Sequence, residues 1–591
     1  MNREILFFGM VLISQSFDWS EYVAAKNPVK GMNRPNFLLL LTDDQSYHLS
    51  MVGTPGMHTP NIDSLAKRGV FFTKAYAAAA SCSPCRSAIL TGMYPHSNGH
   101  WRNTVTPLMN DPDSEFSRQS TKVDPVGVHE DLPTLIELLT ENGYLTGITE
   151  KFHLSPPWKF PFNFRYAAVN TPSSQYQSAK DFLDKSKNDP FFLEVNIGNT
   201  HRPYKSPKKQ ANLPPVSPDK VVIPANWPDT KITREDYAEY LTTVEQADAV
   251  IGEVLKALNE SGRAEKTIII YTSDQGFCYH RAKATTYEWG VHIPLSFTGP
   301  GIKSNIQTSE LVSHIDLTPT VLDFAGITIP ATVQGISLKK FLSGKAKTTG
   351  EHFVFSEHNA HGPSEEEYYP TRTVTDGRYR YIRNLQNEIV PDYPIERFVT
   401  DAAFANKNKG LAWTCLDATP GGNWGNRAFA DIINNKESFP VQYELLKATF
   451  FRPKEELYDL EKDPYEMKNL AGLEEYRAKV AKLGSVLDQW MNNTNDDGDP
   501  RSHPRNTFSW HYPLNVIHKN PEDGLPFTPN NGVCKGDYKF IFDWYGRLRL
   551  FNIRKDISEK NNPAKLLPEK TRELFQELMN YPEKDVVSLA N

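Results

Sequence analysis

Three short runs of this chain are apolar at most positions, do not alternate, and end in polar clusters. Asn36-Phe37-Leu38-Leu39-Leu40-Leu41 passes into Thr42-Asp43-Asp44-Gln45, Phe191–Ile197 into Asn199-Thr200-His201-Arg202, and Thr267–Tyr271 into Ser273-Asp274-Gln275-Gly276. Runs apolar on both faces predict central strands of a covered parallel sheet. Between them, residues of helical period occupy Pro60–Arg68, Leu132–Glu141 with Gly143 behind it, and Thr233–Leu258 with Gly262 behind it. Strands alternating with helices predict an α/β fold built on a large, mostly parallel sheet flanked by helices. Such sheets hold ligands at the carboxyl ends of their strands, so the polar clusters predict one convergent site.

Beyond about residue 350 the pattern changes. Tyr379–Arg383 alternates as an exposed strand does, Leu457–Pro464 follows, and Glu474–Met491 has the spacing of an amphipathic helix. A smaller antiparallel sheet-plus-helix domain over 351–492 is expected after a catalytic domain at 34–350. Residues 537–580 repeat that order, with Tyr538–Ile541, then Leu550–Asp556, then the helical Thr571–Tyr581. Residues 493–591 therefore read as an extension carrying a second strand–turn–helix unit, joined by the Pro/Asn/Asp-rich segment 493–506. Chance similarity is the competing reading for units so short.

A length of 591 residues, 39% of them hydrophobic, suits a large packed domain with at least one smaller one. The net charge of −6 gives no general attraction to nucleic acid, so any anion must be bound by local cations. Arg3, the apolar run Ile5–Ile13 and Val23-Ala24-Ala25 make residues 1–25 read as a secretory signal. That predicts export, whether periplasmic, extracellular or lysosomal. No segment is long and apolar enough to be expected to span a membrane. Five cysteines are too few and odd in number for a disulfide framework, and Cys415 and Cys534 can pair or stay free.

The segment Cys82-Ser83-Pro84-Cys85-Arg86 leads into Ser87–Gly92. Proline suits the first turn of a helix, where its missing N–H has no partner to lose. A helix starting at Pro84 puts Cys82 at an N-terminal end, whose free amides and dipole favour an anion. Arg86, one turn on, offers planar donors to a tetrahedral oxyanion. The same residues also suit an ordinary helix start with a buried cysteine. Asp43, Asp44, Asp274 and Gln275 make an oxygen-donor set of the kind hard cations such as Ca²⁺ take, and the lack of His and Cys among them disfavours zinc. Asp-Asp alone would read as a cap; joined by Asp-Gln after another central strand, it favours a metal. Arg86, Lys151, His153, His201 and Lys283 form a basic group, with Lys151 and His153 expected on one strand face after Gly143–Thr149. Singly each reads as a surface cation or a satisfied histidine. Gathered at a metal-bearing sheet edge, they would hold an anionic group and its transition-state charge.

Cys82–Arg86 with Leu90-Thr91-Gly92 resembles the signature of the formylglycine-dependent sulfatases, in which the cysteine is oxidised to formylglycine. The likeness covers most of residues 34–490, through Pro35–Gln45, Thr59–Gly69, Lys151-Phe152-His153, Asp274-Gln275-Gly276 and Lys283–Glu288. Phe160–Phe164, Phe191–Pro203 and Thr371–Leu385 are most similar to the sulfamidase branch, which acts on N-sulfated glucosamine of the heparan type. The resemblance implies an alkaline-phosphatase-like fold and one Ca²⁺ held by Asp43, Asp44, Asp274, Gln275 and the formylglycine made from Cys82. It implies that Arg86 and Lys151 hold the aldehyde hydrate and the sulfate, with His153 beside the hydrate. His201 and Lys283 would contact the sulfate or the leaving group, His201 as general acid. Arg202, and His358 and His361 in a loop before Thr371–Leu385, are candidate sugar-binding residues. The implied partners are a sulfated saccharide and an enzyme that matures Cys82.

Three features depart from the family. Gln275 stands where Asn or His is usual, and its longer arm can shift the metal. Glu150 replaces a common Gly before Lys151 and adds negative charge near the anion site. The chain beyond about residue 500 has no sulfamidase counterpart. Competing readings are an O-sulfatase for another polysaccharide, a phosphatase or phosphonate hydrolase of the same superfold, and a sulfated-glycan-binding pseudoenzyme.

Overall fold

The computed structural model describes residues 34–502 except 105–125, 206–212, 363–367, 387–394 and 401–426. Beyond them it describes 507–512, 530–535, 538–543, 548–552, 567, 569–571 and 573–574. The leader at 1–25, Cys415 and most of the helix expected at Thr571–Tyr581 lie outside these residues.

The central sheet has eight strands: β1 (Asn36–Thr42), β2 (Val70–Tyr76), β3 (Leu145–Thr149), β4 (Phe164–Tyr166), β5 (Phe191–Ile197), β6 (Thr267–Ser273), β7 (His292–Thr298) and β8 (Ile306–Ser313). Their order is β4-β3-β5-β1-β6-β7-β2-β8, and β7 alone runs antiparallel to both its neighbours. Around the sheet pack α1 (Pro60–Lys67), α2 (Cys82–Thr91), α3 (Leu135–Glu141), α4 (Pro172–Ser186), α5 (Lys231–Glu260) and α6 (Leu317–Ala325). Strand alternation sends Leu38 and Leu40 to one face with Leu65 of α1, Phe182 of α4 and Val250 of α5. Phe37, Leu39 and Leu41 go to the other, with Ile89 of α2, Leu139 of α3 and Leu322 of α6. Helices cover both faces, which is why β1 is apolar throughout.

Helix ends follow local chemistry. Thr134 and Glu137 form a reciprocal capping box on α3. The Thr230 hydroxyl accepts the Thr233 N–H, so α5 starts two residues before its apolar pattern, and it ends two residues beyond that pattern at Glu260. α2 begins at Cys82, not at Pro84; Pro84 is third in the first turn, where a helix has no partner for its amide.

A second, antiparallel sheet takes β9 (Val354–Ala360), β10 (Tyr368–Thr375), β11 (Tyr379–Asn384) and β12 (Glu455–Asp459), in the order β12-β11-β10-β9. α7 (Arg477–Asn493) lays Leu483, Leu487 and Trp490 on it in a cluster with Tyr381 and Leu457 that reaches Ala88 of α2. The strand expected to be exposed, β11, is an inner one with Arg380, Tyr381 and Ile382 buried. Arg380 misleads the reading: its charge suggests solvent, but Glu288 and Glu466 accompany it inside. A further antiparallel sheet joins β13 (Thr507–Tyr512), β14 (Asn530–Lys535), β15 (Tyr538–Asp543) and β16 (Leu548–Asn552) in sequence order. β15 and β16 overlap the two strands expected within 537–580.

Candidate active site

The adjacent strands β5, β1 and β6 end together, which gathers the polar clusters. Asp43 N–H donates to the Ile197 carbonyl at 3.1 Å and Asp274 N–H to that of Thr42 at 3.0 Å. Asp44 takes a left-handed backbone (φ 65°) and donates its N–H to Asp274 Oδ1 at 3.0 Å. The first turn of α2 faces this edge. Cys82 Sγ lies 3.7 Å from Asp43 Oδ1, 3.9 Å from Asp44 Oδ1 and 3.3 Å from Gln275 Nε2, and Cys82 is 2% exposed. The longer arm of Gln275 therefore still brings its amide to Asp44 and Cys82.

Each carboxylate is matched by a cation. Lys151 Nζ is 2.7 Å from Asp43 Oδ2, Lys283 Nζ is 2.7 Å from Asp44 Oδ2, and Arg86 holds Asp274 Oδ2 through Nε and Nη2 at 3.1 and 2.9 Å. Arg86 Nη1 also donates to Asn196 Oδ1. Burial alone would raise the Asp43 carboxyl, but Lys151, His201 and Arg86 outweigh it and hold it well below the usual range. Burial and then the Asp43 charge push Asp274 up to about 7. Burial pushes the Cys82 thiol up to about 12 despite Lys151 and Lys283, so little thiolate exists at neutral pH. Asp43, Cys82 and Asp274 present ligand atoms within 4.8 Å of one another, as do Asp43, Asp44 and His201. Gln275 Oε1 is buried with no hydrogen-bond partner. An orphaned amide oxygen beside crowded carboxylates, one pushed towards protonation, suits a hard dication.

The histidines are oriented by carbonyls. His201 Nδ1–H donates to Arg202 O at 2.6 Å, so Nε2 carries the lone pair in the neutral ring, 3.7 Å from Asp44 Oδ2. Burial and then Lys283 push His201 down to about 4. His153 Nε2–H donates to Thr104 O at 3.3 Å and leaves Nδ1 buried with no partner. Lys151 and His153 do not share a strand face, because β3 ends at Thr149 and both Glu150 (φ 61°) and His153 (φ 45°) take left-handed backbone. Burial and then Asp43 raise the Glu150 carboxyl, which weakens the extra negative charge expected there.

The three candidate sugar residues are buried. Arg202 is engaged with Asp236 at 3.0 and 2.6 Å and with Cys278 O at 3.1 Å. His358 lies in β9, not in a loop, and His361 follows that strand. Both approach Ser81, the residue before α2. Sequence reasoning missed Asn103 and Ser81, which complete this layer. Asn103 Oδ1 accepts the Ser83 N–H at 2.9 Å, so its Nδ2 donates to His361 Nε2 at 3.2 Å. His361 must then donate from Nδ1 to Ser81 Oγ at 3.0 Å, and the hydroxyl donates to His358 Nδ1 at 3.4 Å. The only sequence signal was the polar run Ser97–Thr104. Cys85 is a different kind of thiol, buried between the Asp274 carbonyl and His314 Nδ1.

Comparison with known proteins bears on the family and the fold. The sulfatase family profile matches residues 35–327, and the profile described as N-sulphoglucosamine sulphohydrolase, C-terminal, matches 277–391. The chain is 27% identical over 507 residues to N-sulphoglucosamine sulphohydrolase of Homo sapiens, spanning 78% of this chain and 90% of that one. It is 25% identical over 554 residues to an ulvan-active sulfatase of Formosa agariphila, spanning 90% and 95%. A solved 2-O GAG sulfatase shares the fold, with TM-score 0.54 and 23% identity over 83% of this chain and 98% of that one. Fold, site and matches together define a hydrolase of sulfuric esters. The chain belongs to the sulfatase family.

Proposed function

We propose that this sulfatase releases sulfate from a glycosaminoglycan-type saccharide, the sulfamate of N-sulfoglucosamine foremost, using a formylglycine made from Cys82. The position of Cys82 carries the reading: buried at a helix start, beside two carboxylates and within reach of three cations, with a thiol too weakly acidic to act itself. Asp43, Asp44, Asp274, Gln275 and the residue made from Cys82 would hold a Ca²⁺. Formylglycine supplies an aldehyde hydrate as nucleophile, and the cation supplies positive charge to the oxygens around it.

The chain's own residues do the rest. Arg86, Lys151 and Lys283 neutralise sulfate oxygens and the charge that grows on them. His153 Nδ1 is a buried, unpartnered acceptor suited to a proton on the nucleophile side. His201 delivers a proton from Nε2 to the departing nitrogen or oxygen. Its Nδ1–H is fixed by Arg202 O, so it does so as the imidazolium, a form the charge of a bound sulfate favours. Arg202 holds the His201 segment to α5 through Asp236. His358 and His361 are assigned to the sugar side through the Ser81 layer. The N-sulphoglucosamine sulphohydrolase matches support the sulfamate. Export is part of the reading, and among the described residues no helix is long and apolar enough to cross a membrane.

The test starts with the mass of the Cys82 peptide after coexpression with a formylglycine-generating enzyme. Thiol-to-aldehyde conversion is expected, together with loss of turnover in Cys82→Ala and its retention in Cys85→Ala. A Cys82 left unmodified under every maturation condition sinks the enzymatic route. Sulfate release is then compared between N-sulfoglucosamine and a 6-O-sulfated analogue. Release from the O-position alone selects the second reading, an O-sulfatase, which similarity to a Delta 4,5-hexuronate-2-O-sulfatase (26% identical) also supports.

A further inference from the structure

The end of the central sheet opposite the active site carries a basic cleft that the sulfate chemistry does not use. It has a volume of about 730 Å³ and opens where β1 and β6 begin, whereas Asp43 and Asp274 stand where these strands end. Arg34 and Lys266 precede the two strands, and Lys340 and Lys345 come from the short helix Lys339–Leu342 and the turn after it. Lys303 donates its backbone N–H to the Leu342 carbonyl and lies across Gly344, in the space a Cβ there would fill; Gly344 stands in the chain between the lining residues Ser343 and Lys345. Gly344 is left-handed (φ 72°), so the turn there favours glycine. Of the acidic residues in the wall, Asp323 is paired with Lys339 at 3.0 Å, which leaves Glu265.

Lys266, Lys303, Lys340 and Lys345 are exposed, and among the described residues none has a carboxylate partner. Such a cluster runs against the net charge of −6 and repels itself until an anion enters. Ammonium groups on flexible stems suit sulfates strung along a flexible chain better than one bidentate carboxylate. None of the exposed large apolar residues belongs to the cleft wall, so a membrane surface finds no anchor there.

We propose that this cleft docks a sulfated polysaccharide chain through its sulfate groups. The proposal rests on the reading of the substrate as a sulfated saccharide. β1 has seven residues, a length of about 23 Å, so a small saccharide engages one site and only a polymer reaches both.

Heparin is the probe, with unsulfated hyaluronan and duplex DNA as controls, and the triple variant Lys266→Glu/Lys340→Glu/Lys345→Glu is compared with the parent. These side chains are exposed and unpaired, so an unchanged melting temperature is expected. Heparin affinity should fall with rising salt and drop about tenfold at low salt in the variant. Sulfate release from a monosaccharide should not change, while KM on the polymer rises. Equal heparin binding by variant and parent overturns the proposal, as does DNA binding as tight as heparin binding. Failure of sulfate release from every saccharide would sink the functional reading and leave the heparin comparison intact.

Discussion

His201 and Gln275 show what single residues decide here. His201→Ala should lower kcat by about 10²–10⁴ on a saccharide, whose leaving group needs a proton, and far less on an aryl sulfate with an acidic leaving group. Equal losses on both substrates would remove His201 from the general-acid role. The orphaned Gln275 Oε1 and the crowded Asp43–Asp44–Asp274 set make a second prediction. Ca²⁺ at about 100 times its Kd should stabilise the fold by roughly 2.7 kcal/mol, read as a higher Tm that EDTA reverses. A Tm indifferent to Ca²⁺ and to EDTA would contradict the cation site. Asp43, Asp44 and Asp274 were legible in the sequence because they directly follow strands, and a strand end is a position that a pattern reveals. Asn103 and Ser81 were not, because their roles come from bonds to His361 across 258 and 280 residues. The same limit applied to the contact of Arg202 with Asp236 on α5, 34 residues away, which no local pattern shows.

At the scale of elements, α2 is the piece that must not move, and its end is set by Gly92 at φ 67°. A Cβ there would meet Val333 Cγ1 at 2.9 Å and the Ile315 carbonyl at 3.3 Å. Gly92→Ala should therefore destabilise the protein by about 1–2 kcal/mol, seen as a lower denaturation midpoint. An unchanged midpoint would show that α2 tolerates another ending. β1, β5 and α5 were readable within two residues because burial on both faces, or a cap at Thr230, leaves a local trace. The stretch after β3 was not: left-handed backbone at Glu150 and His153 breaks the alternation that placed Lys151 and His153 together. Nothing in a non-glycine residue announces that conformation.

The molecule as a whole is joined by buried charge as well as by apolar contact. Arg380 of β11 sits between Glu288, held down to about 2 although burial opposes this, and Glu466, pushed up to about 8 by burial. Between about pH 4.5 and pH 8 the native Glu466 keeps a proton that the unfolded chain has lost, so stability falls as pH rises through that window. Glu466→Gln lacks this term. Its stability relative to the parent should improve from pH 5 to pH 8 by about 1 kcal/mol or more, by denaturation at the two pH values. A constant difference would place an ionised Glu466 in the fold. The central sheet was legible as a whole, but this seam was not, since charged residues on a short alternating strand look like surface. β9 crosses the same seam. Ala80 N–H donates to the Glu357 carbonyl, Glu357 N–H to that of Ala78, and His96 is held by the Glu357 side chain. A chain cut at Gly350 would keep every residue proposed for catalysis and lose the strand that braces the loop before Cys82. Such a fragment should make no working enzyme, and during synthesis the active site must wait for the ribosome to pass His361.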